Sequence, residues 1–400
     1  MDKKIPLIIE RNKNSRYIYF SLMFHGGTCM ENNENAGISH LIEHLLLNLK
    51  DGQELNRYFD VDGVKVNGAT SRESINIYGY FLEENKERYI QKLINTVFCE
   101  DFSDEMLEKN KKIVECEINQ YNYLSKSAVL ENSLLFKNSV WENDILGTIE
   151  NINSFSAETV RKYRRKLLNE GTFVLALRGD IDYSDVEKYV HPYEIVKMKN
   201  ARCDYSPCSV PAFNEMTYHN RKGNEPSNYS EISITYKLEN SGKNELFPCL
   251  AVFNTMLTCL EQSVLSTRLR EELKYVYQIY SYPELFHAFN IFRIRTRTLK
   301  ENEEQVIEEI TSVVERFCRN ELDMQYLFEV AKNRVYNEIL LQVENEPITS
   351  TNQLAKSVLF QQPTNAEVID ILETLDYWNM QMCISVMFNK LEKNIYINES

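Results

Sequence analysis

Two histidines four residues apart, with a glutamate between them, are the residues of this sequence best suited to chemistry. His40 and His44 are spaced so that, on a helix, both imidazoles lie on one face and can reach one metal ion. Glu43 shares that face. Neutral imidazoles suit zinc, which lowers the pKa of a bound water to about 7, and a carboxylate beside the metal can accept the proton. The spacing therefore predicts a zinc site that activates water.

The neighbours of this motif predict that its helix is buried. Apolar residues surround it on nearly every side, so unpartnered polar side chains there would cost about 1–3 kcal/mol each. A zinc ion would satisfy all three. The alternative is two core histidines beside a chance glutamate, which is uncommon in a chain with only 6 histidines.

A later helix supplies the predicted third ligand. Between residues 104 and 121, apolar side chains at helical spacing define a buried stripe formed by Leu107, Val114, Ile118 and Tyr121. Glu117 falls on the same side, since it follows Val114 by three residues and Ile113 by four, whereas Glu115 falls on the polar side. A carboxylate on the apolar side needs a cation, so we expect Glu117 to bind the metal. An inward salt bridge is the alternative.

The composition excludes several classes of function. The chain has 400 residues, 43% of them hydrophobic and 26% charged, and a net charge of -14. These values are typical of a globular protein with a sizeable core, and the negative charge would repel nucleic acid. We therefore expect no nucleic-acid partner, while a cleft of such a protein could attract basic peptides.

Targeting signals and cysteine usage give the predicted location. No apolar run approaches the roughly 18 residues of a membrane span, and the first residues lack the apolar core of a signal peptide. The 9 cysteines contain no C-x-x-C pair. We expect free thiols in a reducing cytoplasm and no membrane association.

Apolar periodicity predicts the elements of a first half. We expect strands at 17–24, 64–66, 75–82 and 172–177, and helices at the histidine motif, at 53–59, over most of 84–166 and up to about 190. Prolines and glycines then interrupt the periodicity over 191–228, which predicts a linker.

The second half, 229–400, repeats this plan. We expect a strand at 231–237, a helix at 245–260, two strands between 275 and 297, helices to about 359 and 375, and a last strand at 383–388. At the place of the histidine helix, the segment 247–253 contains neither histidine nor glutamate. The sequence therefore predicts a duplication in which the domain 1–190 is catalytic and the domain 229–400 is not.

The segment 37–44, which contains both histidines, resembles the pitrilysin/insulinase zinc peptidases, whose motif has the order H-x-x-E-H. Within that family the likeness is to the short bacterial relatives of the mitochondrial processing peptidase. His44 and Glu117 are 73 residues apart (117 − 44), close to the family's usual spacing. Further likeness lies in the segments 67–73, 146–148, 175–180 and 268–277.

This resemblance implies a role for each residue of the motif. His40, His44 and Glu117 would bind zinc, and Glu43 would be the base. The resemblance also implies an α+β fold in which two similar units follow one another, each a mixed or antiparallel sheet with helices packed on one face. The second unit would contribute residues that bind substrate.

The substrate residues implied by the resemblance lie in two segments. Asn67, Ala69 and Thr70 belong to the segment that lines the cleft, where Asn67 would hold the substrate backbone. Arg270 and Tyr277 would hold the substrate or its oxyanion, for which a guanidinium and a phenol are suitable donors. Taken alone, Arg270 is better interpreted as part of a surface ion pair and Tyr277 as a half-buried strand residue.

Three positions depart from the family pattern. Lys274 stands where the family usually has glycine, and Gly68 where it has alanine. Asn110 stands where many members carry a second glutamate that supports the site. The first two would alter the fit of the substrate, and the third would lower activity.

The predicted function is that of a zinc endopeptidase that cleaves small peptides or the leader segments of peptide precursors. Since one chain contains both the metal motif and the Arg270 and Tyr277 segment, a homodimer closing around a peptide is the economical assembly, with a heterodimer with a related chain as the alternative. The competing function is a structural or partner subunit whose site has decayed. A zinc hydrolase for other substrates is a third interpretation.

Overall fold

The computed structural model describes residues 4–49, 54–98, 101–124, 126–169, 173–198, 210–211, 213, 216–220, 228–239 and 246–399. Its strands are β1 Lys4–Arg11, β2 Tyr17–His25, β3 Lys65–Thr70, β4 Ser74–Leu82, β5 Phe173–Gly179, β6 Glu194–Lys197, β7 Thr217–Asn220, β8 Tyr229–Leu238, β9 Val276–Leu285, β10 Asn290–Leu299 and β11 Lys393–Glu399.

The α-helices are α1 Ile38–Leu47, α2 Leu55–Asp60, α3 Lys86–Phe98, α4 Asp104–Leu124, α5 Lys126–Leu135, α6 Ile149–Ser154, α7 Ala157–Asn169, α8 Tyr183–Tyr189, α9 Leu246–Asn254, α10 Glu303–Cys318, α11 Gln325–Asn345, α12 Pro347–Leu359, α13 Asn365–Thr374 and α14 Tyr377–Met387. Two short segments, Thr255–Cys259 and Ser266–Glu272, are π-helical. The predicted α+β composition is confirmed.

The first compact unit is built on a mixed six-stranded sheet with the order β3-β4-β2-β5-β1-β6. β1 runs parallel to β5 and β6, and the other neighbouring strands are antiparallel. Phe20, Leu22 and Phe24 alternate along β2 and join the main core with residues of the helices, including Leu41 of α1. β3 forms an edge of this sheet, and β3 is longer than the strand predicted at 64–66.

The opposite face of the same sheet is also apolar, and α12 covers it. Met23 of β2 and Val174 of β5 pack there against Leu354 and Val358. All seven positions of β5 are buried, as expected of a strand covered on both sides. The prediction of helices on one face therefore omits α12 in this unit.

The boundaries of the compact units differ from the contiguous domains expected from the sequence. One unit contains residues 1–211 and 342–364, and the other contains 212–341 and 365–400. α12 thus belongs to the first unit although it follows most of the second half in the chain. Within the predicted linker 191–228, β6 joins the first sheet and β7 joins the second.

The second unit has a five-stranded sheet with the order β7-β11-β8-β10-β9. The last strand predicted at 383–388 is wrong, because those residues belong to α14 and its C-terminus, and the last strand is β11. Asp376 begins the helix by accepting a hydrogen bond from the backbone N–H of Asn379. The buried side chains of Tyr377, Met380, Ile384 and Met387 then follow at helical spacing, a stripe that the β-prone segment 383–388 obscured.

The strand β1 was absent from the sequence prediction, which treated the first residues only as a candidate signal segment. Its register aligns Leu7 with Leu175 of β5, so its apolar side chains complete the core. No helix in the described ranges is long and apolar enough to span a bilayer.

The cysteines agree only in part with the expectation of free thiols. Among the described residues, Cys116, Cys249, Cys259, Cys318 and Cys383 are free thiols. Cys29 departs from that expectation because it takes part in a disulfide.

Candidate metal centre

The histidine motif lies on α1, a ten-residue helix in which nine residues are buried. The exception is His44, whose side chain is 18% exposed. α1 begins after Gly37, whose φ of 92° lies in the left-handed region, and its apolar side chains pack into the main core of the first unit. The predicted buried helix is therefore present, with its polar stripe at the border of the core.

Three side-chain atoms from α1 and α4 converge at this border. The Nε2 atoms of His40 and His44 lie 3.2 Å apart. The Oε2 atom of Glu117 lies 3.5 Å from His40 Nε2 and 3.3 Å from His44 Nε2. The structure thus brings together the two imidazoles and the carboxylate that the sequence singled out as metal ligands.

The size of this triangle fits a zinc ion. Tetrahedral coordination with metal–ligand bonds of about 2.0–2.2 Å places neighbouring ligand atoms about 3.3–3.6 Å apart. The three observed edges of 3.2, 3.3 and 3.5 Å match that spacing. The donor set, two imidazoles and one carboxylate, is also one that zinc accepts in sites that keep a position for water.

Burial keeps both imidazoles in the form that binds metal. Desolvation, with the neighbouring His44 as a second cause, lowers the pKa of His40 to about 3. Burial also lowers the pKa of His44, against the opposing effect of the Glu117 charge. Neutral imidazoles bind a metal ion without first losing a proton.

Glu43 lies beside the triangle on the side of β3. Its Oε2 atom is 4.0 Å from His40 Nε2. His40, Glu43 and His44 alone also offer ligand atoms within 4.8 Å of one another, so Glu43 competes with Glu117 as third ligand. The carboxylate of Glu117 is the closer of the two to both imidazoles. Glu43 remains available as a base.

The environment of Glu43 suits a group that exchanges protons near neutral pH. Burial, followed by the negative charge of Glu117, raises the pKa of Glu43 to about 7, and the nearby Thr70 hydroxyl opposes this rise. A base with a pKa near the working pH transfers protons most effectively.

The side chain of Glu117 is less buried than the sequence predicted. The side chain is 46% exposed, and on the same helix Ile113 and Tyr121 are 43% and 39% exposed. That side of α4 is therefore half open to solvent, whereas the apolar pattern indicated a buried one. The carboxylate reaches the imidazoles from the solvent side.

The strand β3 divides its predicted substrate residues between two faces of the sheet. Thr70 lies on the face of Glu43, as does Gly68, where a Cβ atom would lie only 1.9 Å from Glu43 Oε1. Asn67 and Ala69 lie on the other face, opposite Tyr78 and Asn76 of β4. The amide of Asn67 donates a hydrogen bond to Tyr78 Oη over 3.3 Å.

Arg270 and Tyr277 belong to the second unit. Arg270 is exposed within the π-helical segment Ser266–Glu272, and the part of the chain that is described contains no ion pair to it. Tyr277 is 89% exposed on β9, an edge strand. Neither the surface ion pair nor the half-buried strand residue is therefore observed. Between them, Lys274 has a φ of 59°, the conformation that the glycine usual in the family would adopt without strain.

The C-terminus of α1 is joined to α4 by two asparagines, one of them missed by the sequence interpretation. The Asn48 amide donates to the backbone oxygen of His44 over 3.0 Å and to Asn110 Oδ1 over 3.4 Å. Asn110 is fully buried and donates to the backbone oxygen of Met106. The departure at Asn110 thus places a neutral link between the two helices that carry the metal ligands.

Family models cover most of the chain. Residues 7–149 match the model of the insulinase peptidases of family M16. Residues 154–335 match the model of the M16 inactive domain. The chain belongs to the M16 peptidase family. The predicted resemblance is confirmed, and M16 membership supports a metallopeptidase type of protein.

The relatives include proteins described as proteases and proteins described otherwise. An uncharacterized zinc protease, YmxG of Bacillus subtilis, is 25% identical over 381 residues, covering 93% of this chain and 90% of the relative. A non-peptidase homolog, YmxG of Helicobacter pylori, is 26% identical over 188 residues, covering 44% and 42%. A solved structure from Pseudomonas fluorescens, described as a peptidase M16 inactive domain, has a TM-score of 0.81 at 15% identity, covering 99% and 95% of the two chains. The last likeness establishes the fold.

Proposed function

We propose that this protein is a zinc-dependent endopeptidase that cleaves peptides or the leader segments of peptide precursors. The observation that carries the proposal is the triangle formed by His40, His44 and Glu117, with Glu43 beside it. The edges of 3.2–3.5 Å fit zinc. Packing alone gives no reason to direct two neutral imidazoles and a carboxylate at one point.

Each side chain has a distinct task in this proposal. When bound, zinc supplies a Lewis acid that polarises the scissile carbonyl and makes water more acidic. His40, His44 and Glu117 hold it. The carboxylate of Glu43 accepts the proton of the attacking water and returns it to the amine that leaves, so that the hydrolysis balances.

The edge strand β3 supports the choice of a peptide as substrate. In the described part of the chain, no strand lies on its outer side, so an extended peptide can add to it through backbone hydrogen bonds, which read few side chains. Because Gly68 of β3 lies against Glu43, a peptide on this edge passes beside the base. The net charge of -14 favours a basic peptide.

Assembly and location complete the proposal. Arg270 and Tyr277 are exposed and free to bind a substrate or its oxyanion. A cytoplasmic homodimer would provide both the metal motif and this pair from the same gene product. A heterodimer with a related chain is the alternative assembly.

A second candidate function is a structural or partner subunit without catalysis. It is favoured by the relative from Helicobacter pylori, which is described as a non-peptidase homolog. The complete motif at His40, Glu43 and His44 and its convergence with Glu117 favour the peptidase. Two measurements separate the peptidase from the subunit: the zinc content of the protein, and cleavage of a quenched fluorescent peptide library with and without chelator. No bound zinc and no cleavage would favour the subunit.

The substitution Glu43→Gln tests the proposed base. We expect the variant to bind zinc as the wild type does, since Glu43 is not assigned as a ligand, and to lose about 10²–10⁴-fold in kcat because no carboxylate accepts the proton. Zinc content and cleavage of the peptide library are measured on the same samples. Glu115→Gln on α4 is the matched control and should keep full activity. Wild-type kcat in Glu43→Gln would overturn the assignment.

A further inference from the structure

A buried acid outside the histidine motif holds the first turn of α1. Glu31 is 4% exposed. Its Oε2 atom accepts a hydrogen bond from the backbone N–H of Gly37, and its Oε1 atom accepts one from the N–H of Ser39, each over 2.8 Å. Ser39 directly precedes His40, so the carboxylate is bonded to the backbone next to a proposed metal ligand.

The residue at the start of α1 cannot make this cap itself. A helix usually begins at a Ser, Thr, Asp or Asn whose side chain accepts a hydrogen bond from the first turn. Here the position is Gly37, where a Cβ atom would lie 2.7 Å from the backbone oxygen of Leu146 and 2.8 Å from the Cα of Gly147. The close crossing of two backbones excludes a side chain, so the cap comes from Glu31, six residues upstream.

The groups around Glu31 indicate that its negative charge interacts mainly with the N-terminus of α1. Among the described residues, no Lys or Arg forms an ion pair with it. The two N–H groups and the positive end of the helix dipole balance the carboxylate. Burial raises the pKa of Glu31, and the hydrogen bonds from Gly37 and Ser39 oppose that rise. On the far side, Ser39 Oγ lies 3.2 Å from Tyr163 Oη.

A small displacement of α1 would disrupt the metal site. One residue of an α-helix advances 1.5 Å along the axis, whereas metal–ligand distances are kept within about 0.2 Å. His40 and His44 move with α1, but Glu117 is held by α4. Two bonds from one rigid carboxylate to alternate residues restrain both the translation and the rotation of the first turn.

We propose that Glu31 is a positioning residue of the zinc site, which fixes α1 so that His40 and His44 meet Glu117. This inference rests on the proposed zinc function, although it does not require that the protein cleave peptides. The amide oxygen of a glutamine at position 31 could accept a hydrogen bond from one of the two backbone N–H groups, but its NH₂ group is a donor and would face the other N–H without a bond. Glu31→Gln therefore removes one restraint while it keeps the size of the side chain.

The test is the zinc affinity of the full chain, measured by competition with a fluorescent chelator. We expect Glu31→Gln to weaken zinc binding at least tenfold. Asp182→Ala is the matched control, because Asp182 caps α8 of the same unit through the N–H of Asp185 and does not contact the site. It should lose stability towards urea and keep the zinc affinity of the wild type.

Each outcome decides a separate question. Equal zinc affinity in folded Glu31→Gln and wild type would overturn the positioning role, as would an equal loss in Asp182→Ala. If Glu31→Gln does not fold, Glu31→Asp replaces it, because the shorter side chain reaches only one of the two N–H groups, and unchanged affinity there overturns the inference. A wild type that binds zinc but cleaves no peptide would sink the peptidase proposal alone, whereas one that binds no zinc would sink both.

Discussion

The position of the Glu43 carboxylate depends on a neighbour that has no side chain. Gly68 of β3 leaves the space that this carboxylate occupies, since a Cβ atom there would lie 1.9 Å from Glu43 Oε1. The end of a flexible side chain can move away at little cost in folding. A base displaced by about 1 Å, however, can lose on the order of a hundredfold in rate.

Although alanine is usual at this position in the family, the carboxylate of Glu43 fills that space here, so we predict that Gly68→Ala lowers kcat/KM by about a hundredfold and leaves zinc affinity and urea stability unchanged. Steady-state cleavage, chelator competition and urea unfolding give the three readouts. Lys65→Ala is the control on the same strand, since Lys65 does not approach Glu43. Wild-type kcat/KM in Gly68→Ala would show that the carboxylate does not need this space.

The depressed pKa of His40 predicts acid sensitivity of the metal-free protein. Its pKa is about 3 in the folded state against 6.5 for the free group, so between these pH values the unfolded chain binds a proton that the folded chain does not. The contribution of His40 to the free energy of unfolding is therefore complete above pH 6.5 and is lost as the pH falls towards 3. His40→Phe should remove this contribution, so urea unfolding of metal-free samples should show a shallower pH dependence. An identical pH dependence in both proteins would contradict the assignment.

Residue spacing predicted part of this site and could not predict the rest. The histidines and Glu43 lie within one helical turn, so their proximity follows from local geometry. The carboxylate of Glu117 lies near both imidazoles, but the structure leaves its face of α4 half exposed, so the expected burial is absent. Gly68 and Glu31 act through contacts between separate elements, which the spacing along one helix does not reveal.

Among the elements, the turn between the π-helical segment Ser266–Glu272 and β9 contains a lysine in a conformation that favours glycine. Lys274 has a φ of 59°, and a side chain in the left-handed region costs roughly 1–2 kcal/mol. We predict that Lys274→Gly raises the free energy of unfolding by about 1 kcal/mol, measured by urea denaturation. Lys274→Ala keeps the strain and should give no such gain. A less stable Lys274→Gly would mean that the lysine side chain contributes more than its backbone costs.

The elements were predicted best where the period of apolar residues was unambiguous. The helices through 84–166 and the strands β2 and β4 are confirmed. The C-terminal part of α14 resembles a strand in the sequence because Ile384 and Val386 are β-prone, although its helical stripe and the cap at Asp376 are also present there. Local propensity misled there because packing of one helix face decides the structure.

At the scale of the whole molecule, the sequence predicted two units, but it did not predict that a helix from the second half of the chain belongs to the first unit. α12 follows most of the second half and yet packs on β2 and β5 of the first unit. The apolar pattern of a helix predicts that the helix is buried, but it does not predict which sheet it packs against. The apolar outer face of β5 was the signal that a further element would cover the first sheet.

The proposed assembly makes a prediction at the same scale. If a homodimer provides the chamber, light scattering after size-exclusion chromatography should give twice the chain mass of 47.1 kDa for the zinc-loaded protein. Mixing inactive Glu43→Gln with an inactive Arg270→Ala variant should then restore part of the activity, because a mixed dimer can combine one intact metal site with one intact Arg270. A fully active monomer would rule out the dimeric chamber.

The most direct test of the metal centre is zinc K-edge X-ray absorption on the zinc-loaded protein. We predict one zinc per chain, with nitrogen and oxygen ligands at about 2.0–2.2 Å, the outer-shell signal of two imidazoles and no sulfur. Zinc bound through sulfur, or no stoichiometric zinc at all, would contradict a site formed by His40, His44 and Glu117.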